Sequence, residues 1–206
     1  MSNERIAIFN EHYEKIGEEK RDIVHQKGYW HETFQCWFYE KVGDQVFLYF
    51  QIRSNEKKDF PNLLDITAAG HLLANENVRD GIREVEEELG LPIDFDRLIP
   101  LGVFYDSIIM PPFLDHEFAN VFLYEYNNSY ESFTFQQEEV QGIVKADLEQ
   151  LIEFWSNKRK KVKVEGVMLN TEGSKSINKM VQQEHFVPHE KSYYVNVLKR
   201  IKQHVR

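Results

Sequence analysis

Apolar residues fall in short blocks separated by polar runs, and the spacing inside each block predicts the element. Ile6 to Phe9 predicts a short strand, with Gly17 expected in the turn after it. Lys20 to Lys27 fits either a short helix or an extended edge. Thr33 to Tyr39 (TFQCWFY) and Gln45 to Ile52 (QVFLYFQI) are rich in aromatic and β-branched residues, and Gly43-Asp44 between them predicts a hairpin. The polar run Arg53 to Pro61 predicts a loop, and Leu63 to Ala69 a further strand. The period then changes. Val78, Ile82, Val85 and Leu89 stand at spacings of four, three and four, so they predict one face of a helix over 78–90, with Gly90 as its C-cap. Leu98 to Tyr105, Ala119 to Tyr126 and Val140 to Val144 predict strands, Leu148 to Trp155 an amphipathic helix, and Val162 to Leu169 a strand or a loop. From His189 to Val205, Tyr194, Val197, Leu198, Ile201 and Val205 predict a closing helix after Pro188, within a helical extension over about 173–206. No internal repeat or low-complexity linker interrupts the series. The alternation of strands and helices predicts an α/β fold, a sandwich around a mixed sheet, in one domain over 1–206.

Composition narrows the functions. With 206 residues, 42% hydrophobic and 14% aromatic, the chain can build a sizeable core. Its formal net charge is −9 and no long basic run occurs, which argues against binding nucleic acid through the phosphate backbone. An anionic substrate would have to be held by local basic residues or by metal ions. A single cysteine, Cys36, excludes an internal disulfide framework. No stretch approaches the roughly 18 apolar residues of a membrane-spanning helix. The start of the chain is charged from Glu4 and has no apolar signal-peptide core. A cytoplasmic protein with neither nucleic-acid nor membrane partners is the expectation, and a homodimer is left open.

The most informative segment is Gly70 to Leu91, GHLLANENVRDGIREVEEELGL. Glu84, Glu87 and Glu88 stand at i, i+3 and i+4 and share one helical face, where like charges cost a few tenths of a kcal/mol per pair. A hard divalent cation would remove that cost, and carboxylate oxygens suit Mg²⁺, which also binds substrate phosphates. The plainer alternative is a solvated acidic face. The neighbours favour the cation. Gly70, five residues and Glu76, then Arg83-Glu84-Val85, Glu87-Glu88, Gly90 and Leu91, resemble the Nudix box, with one departure: six residues, not seven, separate Glu76 from Arg83.

The resemblance implies a Nudix-type α/β/α sandwich with extra C-terminal helices. It also implies Mg²⁺ or Mn²⁺ held by Glu84, Glu87 and Glu88, with Arg83 orienting a glutamate. The implied reaction is hydrolysis of a diphosphate bond in a small molecule, a nucleoside diphosphate derivative being the first expectation. The departure bears on Glu76, which in the family supports the loop and pairs with the arginine. A non-catalytic sensor on the same scaffold is the contrasting reading, against which the intact glutamates argue.

A second resemblance reaches beyond the box, to the isopentenyl-diphosphate isomerase branch of the superfamily. There, histidines and acidic residues ligate a divalent metal, and an Arg with a Lys four residues later holds the diphosphate. His25, His31, His71, Asp115, Glu117, Arg53 and Lys57 fall near those positions, though the His25 to His31 spacing is one residue short. The isomerase places its essential cysteine two residues before the third histidine, and this chain has Ala69 there. Alanine transfers no proton, so the resemblance implies a hydrolase with an isomerase-like sequence, the isomerase itself being the runner-up. Each histidine has a plain reading as a satisfied structural group, and Arg53 and Lys57 as solvated loop charges. Glu138 and Glu139 offer a further base or ligand from a late loop. Trp30, Phe34, Trp37 and Phe38 could stack a nucleobase or simply fill the core.

Overall fold

The computed structural model describes residues 4–170 and 173–205. In chain order its elements are β1 (Arg5–Phe9), β2 (Lys15–Lys20), α1 (Arg21–Lys27), β3 (Trp30–Val42), β4 (Gln45–Arg53), β5 (Leu64–Ile66), β6 (Ala68–His71), α2 (Arg83–Leu89), β7 (Ile99–Met110), β8 (Phe113–Glu125), β9 (Val140–Asp147), α3 (Leu148–Trp155), β10 (Val162–Asn170), β11 (Gly173–Val181) and α4 (Lys191–Val205). Period-2 alternation along β3 and β4 divides the interior in two. Phe34, Cys36, Phe38 and Tyr49 face one core, with Val85 and Leu89 of α2. Trp37, Tyr39, Leu48, Phe50 and Ile52 face the other, with Leu151 and Phe154 of α3 and Val197, Leu198 and Ile201 of α4. Helices therefore cover both faces of a mixed sheet, as an α/β sandwich requires. Fully burying each such large side chain contributes roughly 1.5–3 kcal/mol. On the second face Trp155 stacks on Tyr194, ring centroids 3.8 Å apart, which joins α3 to α4.

β3 is the spine. One edge pairs in parallel with β8 from Trp30 to Tyr39. The other edge changes partner along its length, taking β1 at Trp30–His31, β6 at Thr33–Cys36 and β4 from Tyr39. The β3–β4 hairpin forms as its turn sequence predicts but then opens. Its arms are held apart by the run predicted as one strand, Leu63 to Ala69, which crosses from β4 (as β5) to β3 (as β6). Thr67 makes the crossing: its hydroxyl donates to Tyr49 O at 2.6 Å and accepts from Phe38 N at 3.0 Å, tying both arms to one side chain. The opening between the arms is where the candidate site residues gather.

Other differences from the sequence expectation have local causes. Gly17 lies inside β2; the turn sits earlier, where the Asn10 side chain accepts from the backbone N–H of His12 and Glu14. The box helix begins at Arg83 rather than Val78. Asn77 and Asp80 side chains accept from the Arg79 and Asn77 amides, which folds residues before the helix into turns. Gly81 in that turn lies so close to β3 that an added Cβ would stand 2.5 Å from Phe34 Cβ. Gly90 ends α2 with φ 69°, as its C-cap role requires. The expected helical extension over 173–206 is a correction: Gly173–Val181 is β11, a strand paired along β10, and Lys191–Val205 is the α-helix. β11 is mostly exposed and polar, so its backbone ladder, and no hydrophobic period, defines it.

Candidate active site

A cavity of about 1190 Å³ opens where β3 and β4 part. Its acidic end is built by α2 over β6. Arg83 is the hub. Its Nε donates to Glu76 Oε1 at 2.6 Å and its Nη2 to Glu76 Oε2 at 3.0 Å, a two-pronged pair. Its Nη1 donates to Glu84 at 2.6 Å and to Glu87 at 3.1 Å, and Nη2 also reaches His71 O at 3.1 Å. Glu76 further accepts from Leu73 N at 2.8 Å, so it supports the loop despite the shortened spacing.

The three glutamates do not stand alike. The Glu84 side chain is 13% exposed and packs on Gly70. Burial pushes its carboxyl up to about 7, Arg83 opposing the rise and Glu87 adding to it. Glu88 is buried and accepts from Ala69 N and Gln51 Nε2, each at 3.2 Å; burial, then the charge of Glu84, holds its carboxyl well above the usual range. Glu87 lies at the rim, 54% exposed. A buried and a largely enclosed carboxylate beside a third, lining a cavity and reluctant to ionise without more positive charge, fit a hard divalent cation.

The other end of the cavity is a histidine cluster. His25 of α1, His31 of β3, His71 of β6 and Asp115 of β8 bring one ligand-type atom each within 4.8 Å of one another. His31 Nδ1 sits 3.0 Å from Tyr29 O; a carbonyl only accepts, so Nδ1 carries the proton and Nε2 presents a lone pair. That lone pair faces Asp115 Oδ1 at 3.3 Å. Among the described residues, these two buried atoms have no hydrogen-bond partner. His25 Nε2 lies 3.1 Å from His71 Nε2 and 3.6 Å from Asp115 Oδ1. Burial lowers all three rings, His25 to about 3 and His31 to about 4, and so keeps them in the neutral, ligating form. Burial raises Asp115 to about 7. The His31 lone pair set against the Asp115 carboxylate, with His25 and His71 beside them, fits a bound cation. Glu117 stands beside the cluster, accepting from Thr33 Oγ1 at 3.0 Å and Gln35 Nε2 at 2.9 Å.

Between the two ends runs the loop after β4. Lys57 pairs with Glu139, and Ser54 N donates to Glu139 O at 2.8 Å. Arg53 lines the cavity but is committed to the protein: Nη1 donates to Asp65 at 2.8 Å, Nη2 to Asp59 O at 2.9 Å and Nε to Phe60 O at 3.2 Å. Phe34, Trp37 and Phe38 are fully buried in the cores, while Trp30 packs against Tyr105, His116 and Phe118. The site also uses residues the sequence reading did not single out: Gln51, Thr33, Gln35, Asp65 and His189. For those in strands the only sequence signal is polarity in an apolar run, as with Gln35 in TFQCWFY and Gln51 in QVFLYFQI; His189, in the segment before α4, carries none.

No protein-family model matches the chain. An uncharacterized Nudix hydrolase of Clostridium acetobutylicum is 38% identical over 202 residues, 98% of both chains. Among solved structures, the Deinococcus radiodurans protein DR0079 superposes with TM-score 0.57 at 21% identity, covering 75% of this chain and 90% of its own. A MutT/nudix family protein of Enterococcus faecalis gives TM-score 0.52 at 14% identity, covering 84% of this chain and 62% of its own. The near-full-length relative, the shared fold and the Arg83–Glu76 and glutamate arrangement agree: the chain belongs to the Nudix hydrolase family.

Proposed function

We propose that the protein hydrolyses a diphosphate bond in a small molecule, a nucleoside diphosphate derivative or a related compound, with Mg²⁺ or Mn²⁺ held by Glu84, Glu87 and Glu88. The observation that carries this reading is the pair of carboxylates Glu84, largely enclosed, and Glu88, buried, on a cavity that Arg53, Lys57 and Lys58 also line. When bound, the cation supplies charge neutralisation at the diphosphate and acidifies water for attack at phosphorus. The residues do the rest. Arg83 holds Glu84 and Glu87 in register from one side and takes its own orientation from Glu76. Gln51 and the Ala69 amide fix Glu88 from below. Lys57 offers a point charge to the substrate, in exchange with Glu139. Arg53 shapes the loop and presents the edge of its guanidinium to the cavity. The new P–O bond comes from water, which gives up a proton to solvent, as the bridging P–O bond breaks, and the departing phosphate takes the bond's electron pair and leaves as the anion.

The histidine cluster favours a second cation, with His25, His31, His71 and Asp115 as ligands and Glu117 as a further candidate. This is the arrangement that the isomerase-like resemblance implies. The isomerase reaction is disfavoured by Ala69 and by the burial of Cys36, fully enclosed in a strand on the α2 side of the sheet, its thiol raised by that burial. No helix among the described residues is long and apolar enough to cross a membrane, and a cytoplasmic location is part of the same proposal.

The test is release of a phosphorylated product from a panel of diphosphate compounds at mildly alkaline pH, with and without Mg²⁺ or Mn²⁺. Turnover that requires the metal and is lost in Glu88→Gln is the expected result. Complete inactivity of folded protein across the panel would favour a binding or sensor role.

A further inference from the structure

The residues Phe186 to Glu190, just before α4, cross to the cavity. Val187 N donates to Leu64 O at 2.9 Å, and Phe186 bridges Leu64 in parallel register. This crossing sets the His189 ring between carboxylates of two strands, Nδ1 at 2.5 Å from Asp106 Oδ2 on β7 and Nε2 at 3.0 Å from Asp65 Oδ1 on β5. An ionised carboxylate only accepts, so both ring nitrogens must donate and the ring is an imidazolium. Burial opposes that charge, but Asp106 and Asp65 outweigh it and hold the ring well above the ordinary histidine range. Burial likewise opposes ionisation of Asp65, and the bonds from His189 and Arg53 more than reverse it.

The ring therefore belongs to a chain of alternating sign, Arg53, Asp65, His189, Asp106, with the first three side chains 16%, 7% and 7% exposed. At its Arg53 end the chain holds the carbonyls of Asp59 and Phe60, which lie in the loop that carries Lys57 and Lys58. The same ring packs 5.2 Å from Tyr193, whose hydroxyl donates to Gln35, the residue that holds Glu117. An ion pair that only glued α4 to the sheet would not need to lie on the cavity wall or end on the basic loop.

We propose that His189 is a positioning residue for the anion-binding wall: through Asp65 it fixes Arg53 and the basic loop in the posture that receives a diphosphate. This rests on the reading of the cavity as a diphosphate site. Calorimetric titration with methylenediphosphonate, a non-hydrolysable diphosphate, in the presence of Mg²⁺ tests it on the full chain, with melting temperature measured alongside. The variants are His189→Gln and the double variant His189→Gln with Asp106→Asn, which also removes the anion left stranded on β7. Wild type is expected to bind. His189→Gln should melt earlier and bind more weakly by on the order of ten-fold. The double variant should regain most of the melting temperature and keep the weakened binding, because Asp65 and Arg53 still lack the imidazolium. If His189→Gln does not fold, the double variant alone decides. Recovery of affinity together with melting temperature, or wild-type affinity in either variant, would make His189 a structural tie and overturn the proposal. Failure of wild type to bind would instead sink the diphosphate reading, and this proposal with it.

Discussion

Gly70 lies so close beneath Glu84 that a β-carbon on it would stand 2.1 Å from the glutamate's carboxyl carbon. The obstacle is the far end of a flexible side chain, so Gly70→Ala is expected to fold and to spend its clash on displacing Glu84. Stability should change little, while metal affinity should fall by about 10- to 100-fold, the range seen when groups supporting a metal ligand are lost. The Mn²⁺-induced rise in melting temperature reads this out. A variant that responds to Mn²⁺ like wild type would show that Glu84 is not a ligand.

Glu87→Gln separates charge from fold at the rim. The amide matches the carboxylate in size, and relief of repulsion from Glu84 offsets the weakened bond from Arg83, so the variant should melt close to wild type without metal. Added Mn²⁺ should stabilise wild type, because binding to the native state alone raises stability, by about 2.7 kcal/mol at 100 times the dissociation constant. Glu87→Gln should gain less, and equal gains would remove this helix face from the metal site.

The same site should respond to pH in one direction. The Glu84 carboxyl is raised to about 7 in the folded protein, and burial holds Glu88 well above the usual carboxylate range. The native state without metal therefore binds protons that the unfolded chain releases above about pH 4.5. The stability contributed is fully present below the unfolded value and is lost as pH rises through the folded one. Protons also compete with the cation for these oxygens. Metal affinity and metal-induced stabilisation should both increase from pH 6 to pH 8, as calorimetry at the two values would measure. A flat profile would contradict the assignment of Glu84.

Arg53 and Lys57 should behave differently from each other. Lys57→Ala leaves Glu139 near solvent and should raise KM with kcat nearly unchanged, the signature of lost uniform binding. Arg53→Ala leaves Asp65, a buried carboxylate, with His189 as its remaining cationic partner and should cost about 1.5–3 kcal/mol in stability as well as affinity. Denaturant titration and steady-state kinetics on the best substrate check both. Unchanged KM in both variants would reduce them to structural charges.

Asp115→Asn tests the histidine end independently. Replacing the carboxylate that faces the His31 lone pair should raise the melting temperature without metal and reduce bound cation by about one per chain in elemental analysis. An unchanged metal content would leave the cluster as a neutral histidine core.

The legible part of the site was local. Glu84, Glu87 and Glu88 share a helix face at i, i+3 and i+4, and the partner of Arg83, Glu76, is seven residues away, so periodicity and motif spacing were enough to find them. His25, His31, His71 and Asp115 were visible only as scattered residues matching a resemblance, because their convergence depends on α1, β3, β6 and β8 meeting. The Asp65–His189 contact spans 124 residues and belongs to no motif, so no window of sequence holds both partners. In the fold, β3, β4 and α3 were readable from apolar pattern, whereas β11 was not. An outer strand needs only hydrogen bonds to its neighbour, and its exposed side chains carry no period. Arg53 is a diphosphate-binding candidate by resemblance and lines the cavity, but its commitment to Asp65 depends on the crossing at Thr67.

The difference in span between the two walls has a kinetic consequence. Glu76, Arg83 and the α2 glutamates close a loop of a few residues, whereas the wall on which Arg53 sits waits for His189 to reach Asp65 across 124. Closing the longer loop costs more chain entropy and ranks late among folding events. A refolding chain is therefore expected to acquire the cation affinity of its α2 glutamates before its affinity for diphosphates.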